Sequence, residues 1–483
     1  MLEPLNVDFD GSQGEFWIPG SLSTTGRATI TSPGLQLDLD GVLQPPRSVR
    51  RIVTGQFMAT EFGNPKDIVV DYNPTPIHGQ LDDGRIVTLI DARADDNPHE
   101  FNTQSFTATQ AIIGAHILPD NTVFRRVRVS IPITRHCPRL FSNPNNVEIS
   151  MHKFQGRMKG ALEGGIGWLE MTPSEENGLI LKDLDRRYWN RIITLLRLWT
   201  DVEIGVDKRV QLQTNDHEDW AELVRFRGVS PASEFHLSQC LLPLSALSLE
   251  IMADALSLFD KLAPIPDIAS RDKFETMTIE AALLASASCL EGIHYRCHEE
   301  SKPFPAISTN RTRKIAKRSA QMIIEELIEM GEVSKAEGTQ AVVRLTDKFK
   351  IFNEKTLGER LEEILPPVEE VAPGLIGIDH SEWIRLVVAA RNLEAHRFAK
   401  PVPDYQERTD RYYQLAKSMD WALRIILLLE IGVSKDFLHS KLHDHQKFIF
   451  DLANMDNCRY PWPGSRFETF RKSKASTTRL KGD

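Results

Sequence analysis

The chain has 483 residues, 41% of them hydrophobic and 26% charged, and a formal net charge of −9. That length is too great for one typical core, and that composition excludes a disordered or fibrous chain. The acidic balance excludes a global electrostatic attraction to nucleic acid, so any such contact has to come from local basic patches. Residues 1–240 read as β. Leu35, Leu37 and Leu39 alternate with Gln36, Asp38 and Asp40, the period of a half-buried strand. Asp83-Gly84, between Ile77–Leu81 and Ile86–Ile90, predicts a hairpin because both residues tolerate positive φ. Val123, Val127, Val129 and Ile131 continue the alternation, with Arg126, Arg128 and Ser130 on the other face. Gly156, Gly160, Gly164, Gly165 and Gly167 read as a flexible surface loop, since no Gly-Lys-Ser/Thr and no strand-linked G-x-G-x-x-G accompanies them. Trp189, Ile192, Ile193, Leu196 and Trp199 predict a helix over Leu184–Thr200, with strands resuming at Val202–Val210 and Ala221–Phe226.

From about Leu241 the apolar period becomes helical. Helices are predicted at Leu241–Leu262, Phe274–Cys297, Arg311–Met330, Thr356–Ile364, Ser381–Phe398 and Asp404–Ile431. Ala263-Pro264-Ile265-Pro266 breaks the first; Ser381 should cap the fifth, and Pro401 and Pro403 should stop it. The expected fold is α+β and multidomain: an antiparallel β-rich sandwich or barrel, then an all-α bundle over 241–450 with its core at about 270–432. Residues 451–483 form a basic tail, of which Gly464–Asp483 is expected to fray, with RNA contact as the sharper alternative. No run approaches the roughly 18 apolar residues of a membrane span, and the start MLEPLNVDFDGSQGEF does not read as a secretory leader. Five scattered cysteines without a C-x-x-C pair fit a reducing cytosol.

Two histidine groups, His294/His298 beside Cys297 and His439/His443/His445, have ligand-like spacing. Neither is followed by convincing further ligands, so no metal and no cofactor is expected. Arg311, Arg313, Lys314, Lys317 and Arg318 crowd one end of a helix that turns acidic at Glu325, Glu326 and Glu329. They read either as a solvated face or as the lining of an RNA groove, since phosphate contacts supply most RNA affinity.

The segment that carries chemistry is Arg391-Asn392-Leu-Glu-Ala-His396. Asn392 and His396 are four apart and share a helix face; the long Arg391 side chain can reach the same cleft. An imidazole titrating near 6.5 can serve as base or acid, and a guanidinium offers a charged planar fork to phosphate oxygens. Those are the groups that metal-free RNA cleavage by a ribose 2′-OH requires. A similar spacing at Arg93–His99 is rejected because Pro98 argues against a helix there.

Arg391-Asn392-x-x-x-His396 resembles the R-N-x-x-x-H motif of the HEPN superfamily. Gly14-Glu-Phe-Trp17-Ile-Pro19, Gly34–Gly41 and Gly84–Asp91 are similar to the N-terminal domain of ApeA-type anti-phage proteins. The resemblance implies a sensing or restraining β domain joined to a cytoplasmic, dimeric, metal-independent HEPN RNase that causes abortive infection. It implies that Arg391, Asn392 and His396 are catalytic, that Glu291 is a polar residue facing the site, and that RNA, a tRNA loop among the options, is the substrate. A phage-derived trigger would be a further partner. The alternatives are a non-catalytic HEPN module that binds a nucleotide or a protein, and a β scaffold whose helices only dimerise.

Overall fold

The alternation at 35–39 is a strand with its leucines inside: Leu35, Leu37 and Leu39 are buried. In a computed structural model, the described residues are 11–31, 34–41, 43, 48–49, 69–70, 74–94, 103–131, 134–142, 146–151, 154–174, 179–202, 209–214, 218–225, 239–271, 277–298, 303–349, 351–377, 379–395, 405–458 and 464–479. They fall into two units, Met1–Ser238 with Pro243–Asp260, and Gln239–Leu242 with Lys261–Asp483.

The first unit carries strands β1 (Ser12–Trp17), β2 (Thr24–Thr31), β3 (Gly34–Leu39), β4 (Ser48–Val49), β5 (Val69–Val70), β6 (Thr75–Leu81), β7 (Ile86–Ala94), β8 (Gln104–Ala108), β9 (Gln110–Ile113), β10 (Phe124–Ile131), β11 (Val147–Met151), β12 (Phe154–Glu163), β13 (Ile166–Pro173), β14 (Val210–Thr214) and β15 (Ala221–Arg225). Thirteen of them form one antiparallel sheet in the order β11-β12-β13-β10-β14-β15-β9-β7-β6-β1-β2-β3-β8. An additional β7–β8 pairing closes β7-β6-β1-β2-β3-β8 into a barrel. Phe16, Leu35, Leu37, Leu39, Ile77, Val87, Leu89 and Phe106 belong to its core. Sequence pattern left sandwich and barrel open; the structure is a barrel whose sheet runs on into an open extension.

The hairpin at Asp83-Gly84 is present. Gly84 has φ +86°, which an L side chain rarely adopts, and the Asp83 carboxylate accepts from the Arg85 backbone N–H at 2.9 Å. The glycine-rich stretch is a correction: it is not a loop but the β12–β13 hairpin, turning at Gly164-Gly165. Helix α1 (Pro138–Ser142) explains one of these glycines, because a Cβ at Gly160 would lie 1.8 Å from the Leu140 carbonyl oxygen. The helix expected at 184–200 is a short α2 (Leu181–Asp183), a π-helical turn and α3 (Asn190–Thr200). The strand expected at Val202–Val210 is observed at Val210–Thr214, and residues 203–208 lie outside the described residues.

Helix α4 (Leu249–Leu262) leads to the second unit. There the helices are α5 (Ile265–Ala269), α6 (Ile279–Cys297), α7 (Thr309–Glu329), α8 (Lys335–Phe349), α9 (Leu357–Ile364), α10 (Pro366–Val371), α11 (His380–Ala395), α12 (Tyr405–Glu430), α13 (Lys435–Asp444), α14 (Gln446–Asp456) and α15 (Arg466–Arg479). α6 packs against α5, α9, α11 and α12, while α7 and α8 form a hairpin. The end of the chain is a second correction. Residues 466–479 are helical, because Phe470 is buried and the Asp456 carboxylate accepts from the backbone N–H groups of Arg466 and Phe467 at 2.9 and 3.0 Å.

Candidate functional site

Helix α11 starts two residues earlier than its sequence cap implies. Asp379, not Ser381, is the capping residue, its Oδ1 accepting from the Glu382 backbone N–H at 2.9 Å. Trp383, Leu386, Val387 and Ala390 form the buried stripe, and Trp383 Nε1 donates to Ser418 Oγ on α12 at 2.9 Å. That stripe fixes the rotation of the helix and so the direction of Arg391. The Arg391 side chain is half-buried; its Nη1 donates to Asn392 Oδ1 at 3.3 Å, and its Nη2 lies 3.5 Å from Glu291 Oε2 on α6. The structure thus brings Arg391, Asn392 and Glu291 together from two packed helices. His396, the fourth residue of the expected set, lies outside the described residues.

Glu394 was not singled out by sequence reasoning. It sits between Asn392 and His396 in the chain, yet its side chain is only 2% exposed. The Tyr412 hydroxyl donates to Glu394 Oε1 at 3.0 Å, and the buried Arg408 guanidinium lies 3.7 Å from the same oxygen. Arg408 also donates through Nη2 to Glu280 Oε1 on α6 at 3.1 Å. Burial, reinforced by the bond to Glu394, pushes the Tyr412 phenol up from its ordinary range, so it stays protonated and a donor. A carboxylate of α11, an arginine and a tyrosine of α12, and a carboxylate of α6 therefore tie these three helices together. The available signal was Arg408 and Tyr412 at helical spacing on an apolar helix, facing an acid within the motif.

Other candidates have their own partners. His294 Nε2 lies 2.6 Å from Glu363 Oε2, and its ring stacks on His298 with centroids 5.3 Å apart. His439 Nδ1 is 2.8 Å from the Val371 carbonyl oxygen, His443 stacks on Phe470, and His445 Nδ1 accepts from the Phe448 N–H. Among the described residues no three His, Cys, Asp or Glu side chains converge as a metal site. Among them, too, no helix is long and apolar enough to cross a membrane. Arg311, Arg313, Lys314, Lys317 and Arg318 are exposed on α7.

Chemically, the α6–α11 arrangement offers a half-exposed guanidinium whose orientation is held from two sides. Arginine stays charged and can present N–H groups to a phosphate. The Glu291 carboxylate restrains it without enclosing it. No curated protein and no solved structure matches the chain. Residues 284–437, which contain Glu291, the α7–α8 hairpin, Arg391, Asn392 and all of α12, match the family model described as Apea-like HEPN, and the C-terminal half of this chain carries an Apea-like HEPN domain.

Proposed function

We propose that this domain is a metal-independent endoribonuclease of a defence system that acts by abortive infection. The observation that carries the reading is the meeting of Arg391, Asn392 and Glu291 inside the HEPN match. Arg391 binds the scissile phosphate and stabilises charge on its non-bridging oxygens. Asn392 and Glu291 hold that guanidinium in place. His396, four residues after Asn392 in the sequence, is the proton-transfer group. The ribose 2′-OH loses its proton and attacks the adjacent phosphorus. The P–O5′ bond breaks, and the departing 5′-oxygen takes up a proton. The products are a 2′,3′-cyclic phosphate and a 5′-hydroxyl. One imidazole per chain serves a reaction that profits from both a base and an acid, which favours two copies acting together. The substrate class is RNA with bases splayed in a single-stranded loop, as in a tRNA. A phage-derived trigger and restraint by the β unit complete the proposal.

The test is cleavage of cellular RNA in EDTA by the parent, His396→Ala and Arg391→Ala. The histidine variant is expected to lose roughly 10²–10⁴ in rate and the arginine variant about 10²–10³. Parent activity that requires a divalent cation removes the mechanism. Tight binding of RNA, a nucleotide or a protein with no turnover by the parent supports the non-catalytic module instead.

A further inference from the structure

Helix α7 buries Thr312, Ala316, Ala320 and Ile324, a stripe of i, i+4 steps. Ile324 and Ile328 lie against Gly338 of α8, so the buried stripe is the face of the α7–α8 hairpin. At about 100° per residue, the line directly opposite that stripe passes within roughly 40° of Arg311, Lys314, Arg318, Glu325 and Glu329. Glu332, just past the helix end, follows in the same rhythm. All six are exposed, and among the described residues none is in an ion pair. Exposed apolar side chains flank the charged line: Ile315 at 38% and Met322 at 62%.

The order of these charges is a palindrome of opposite signs. About the bond between Gln321 and Met322, Arg318 mirrors Glu325, Lys314 mirrors Glu329 and Arg311 mirrors Glu332. Lys317 and Glu326 are related by the same mirror in sequence, but nine residues put them on opposite sides of the helix, so they do not join the charged line. Within one helix this order is unfavourable. Like charges stand three, four or seven residues apart along the stripe, where they repel. The first turn of α7 has no acid and the last turn no base, the reverse of what the helix dipole favours. Both penalties turn into attractions if a second α7 lies alongside in the opposite direction, because every base then faces an acid.

We propose that α7 is a self-recognition surface on which a second copy of this chain docks its own α7 antiparallel, basic half on acidic half. A two-fold axis through the Gln321–Met322 region generates the contact, so one patch serves as both halves of an isologous interface. Each exposed ion pair is individually weak, but the mirror order repeats every pair across the axis, and the flanking Ile315 and Met322 are covered as the helices close. One helix pair is a small interface, so the association is salt-sensitive and concentration-dependent. This deepens the two-copy reading above, and RNA cleavage plays no part in its test, so the two can fail separately.

The test is sedimentation velocity on the full chain at low salt. Lys314→Glu with Arg318→Glu makes the stripe nearly all acidic, and Glu325→Lys with Glu329→Lys makes it nearly all basic. Each variant alone is expected to show half the parent's mass, and an equimolar mixture of the two is expected to recover the parent's mass. Recovery on mixing also shows that both variants are folded. Raising the salt to about 0.5 M, where screening reaches only a few ångströms, is expected to halve the parent's mass as well. Variants that each keep the parent's mass, or a mixture that recovers nothing, overturn the proposal. Loss of RNA binding by the first variant alone, with its mass unchanged, would overturn it in favour of an RNA groove.

Discussion

Glu394 illustrates how a residue inside a functional motif can serve the fold. Its side chain and that of Arg408 are 2% and 4% exposed, so removing either leaves the other charge buried. Breaking one partner of a buried pair costs about 3–5 kcal/mol, against roughly 1 kcal/mol for a single neutral hydrogen bond. Glu394→Ala is therefore expected to lower unfolding stability by about 3–5 kcal/mol and Tyr412→Phe by about 1 kcal/mol. Denaturant titration of both variants checks this ordering; a Glu394→Ala change as mild as Tyr412→Phe would mean that Arg408 is satisfied by Glu280 alone. Arg391 is the opposite case. Its partner Glu291 is a third exposed, so the pair is screened, and Glu291→Gln is expected to leave stability nearly unchanged. Any effect of Glu291→Gln would then appear in RNA cleavage, where the proposed role lies.

At the level of elements, α6 is the common support: it carries Glu291 toward the candidate site, Glu280 to the buried network and His294 to Glu363. Burial holds the His294 imidazole below its ordinary value of 6.5, and the Glu363 carboxylate opposes that shift. The unfolded chain takes up a proton near pH 6.5 that the folded chain resists, so this group's contribution is present above about pH 6.5 and lost as pH falls below it. Chemical denaturation at about pH 7 and 5.5 should show the parent weakening on acidification and His294→Gln weakening less; parallel losses in the two proteins would rule the assignment out. The same helices show what a sequence can and cannot disclose. α6, α7, α11 and α12 announce themselves because one face of each is apolar at helical period. α8 was missed although Gly338, Ala341, Val342, Leu345 and Phe349 recur at helical spacing; apart from Gly338 these side chains are only half-buried, and the stripe is short and flanked by charges. The β12–β13 hairpin was hidden by its glycines: Gly164 and Gly165 make the turn, and Gly160 and Gly167 leave room for Leu140 and Phe141 of α1, a tertiary requirement that leaves no periodic trace. Closure of the barrel was equally illegible, since it depends on the last strand of the sheet, β8, folding back onto β7 in its interior. In the site, Arg391 and Asn392 were legible from spacing and resemblance, whereas Glu394 depends on what α12 places opposite it.

For the molecule as a whole, the change of apolar period near Leu241 and the division into units fall at different places. Pro243–Asp260 belongs with the β unit, while Gln239–Leu242 belongs with the helical one, so the chain crosses three times and no single cut separates them cleanly. Trp199 Nε1 donates to the Pro243 carbonyl at 3.1 Å, one of the ties that keep this segment with the first unit. Along α4, Leu249, Met252, Leu256 and Phe259 are fully buried. A fragment starting at Leu241 would carry those side chains without the β unit they accompany, and a contiguous exposed apolar face promotes association. A fragment starting at Lys261 would omit that face and lose only Gln239–Leu242 from its own unit. The longer fragment is thus expected to bind a hydrophobic dye and to be recovered largely in the insoluble fraction, and the shorter one to stay dispersed. Ordinary reasoning about truncation points the other way, since keeping a whole helix is usually safer than cutting within its last turn. A soluble, dye-silent 241–483 fragment would show that α4 belongs with the helices that follow it, and the boundary would then return to the place where the period changes.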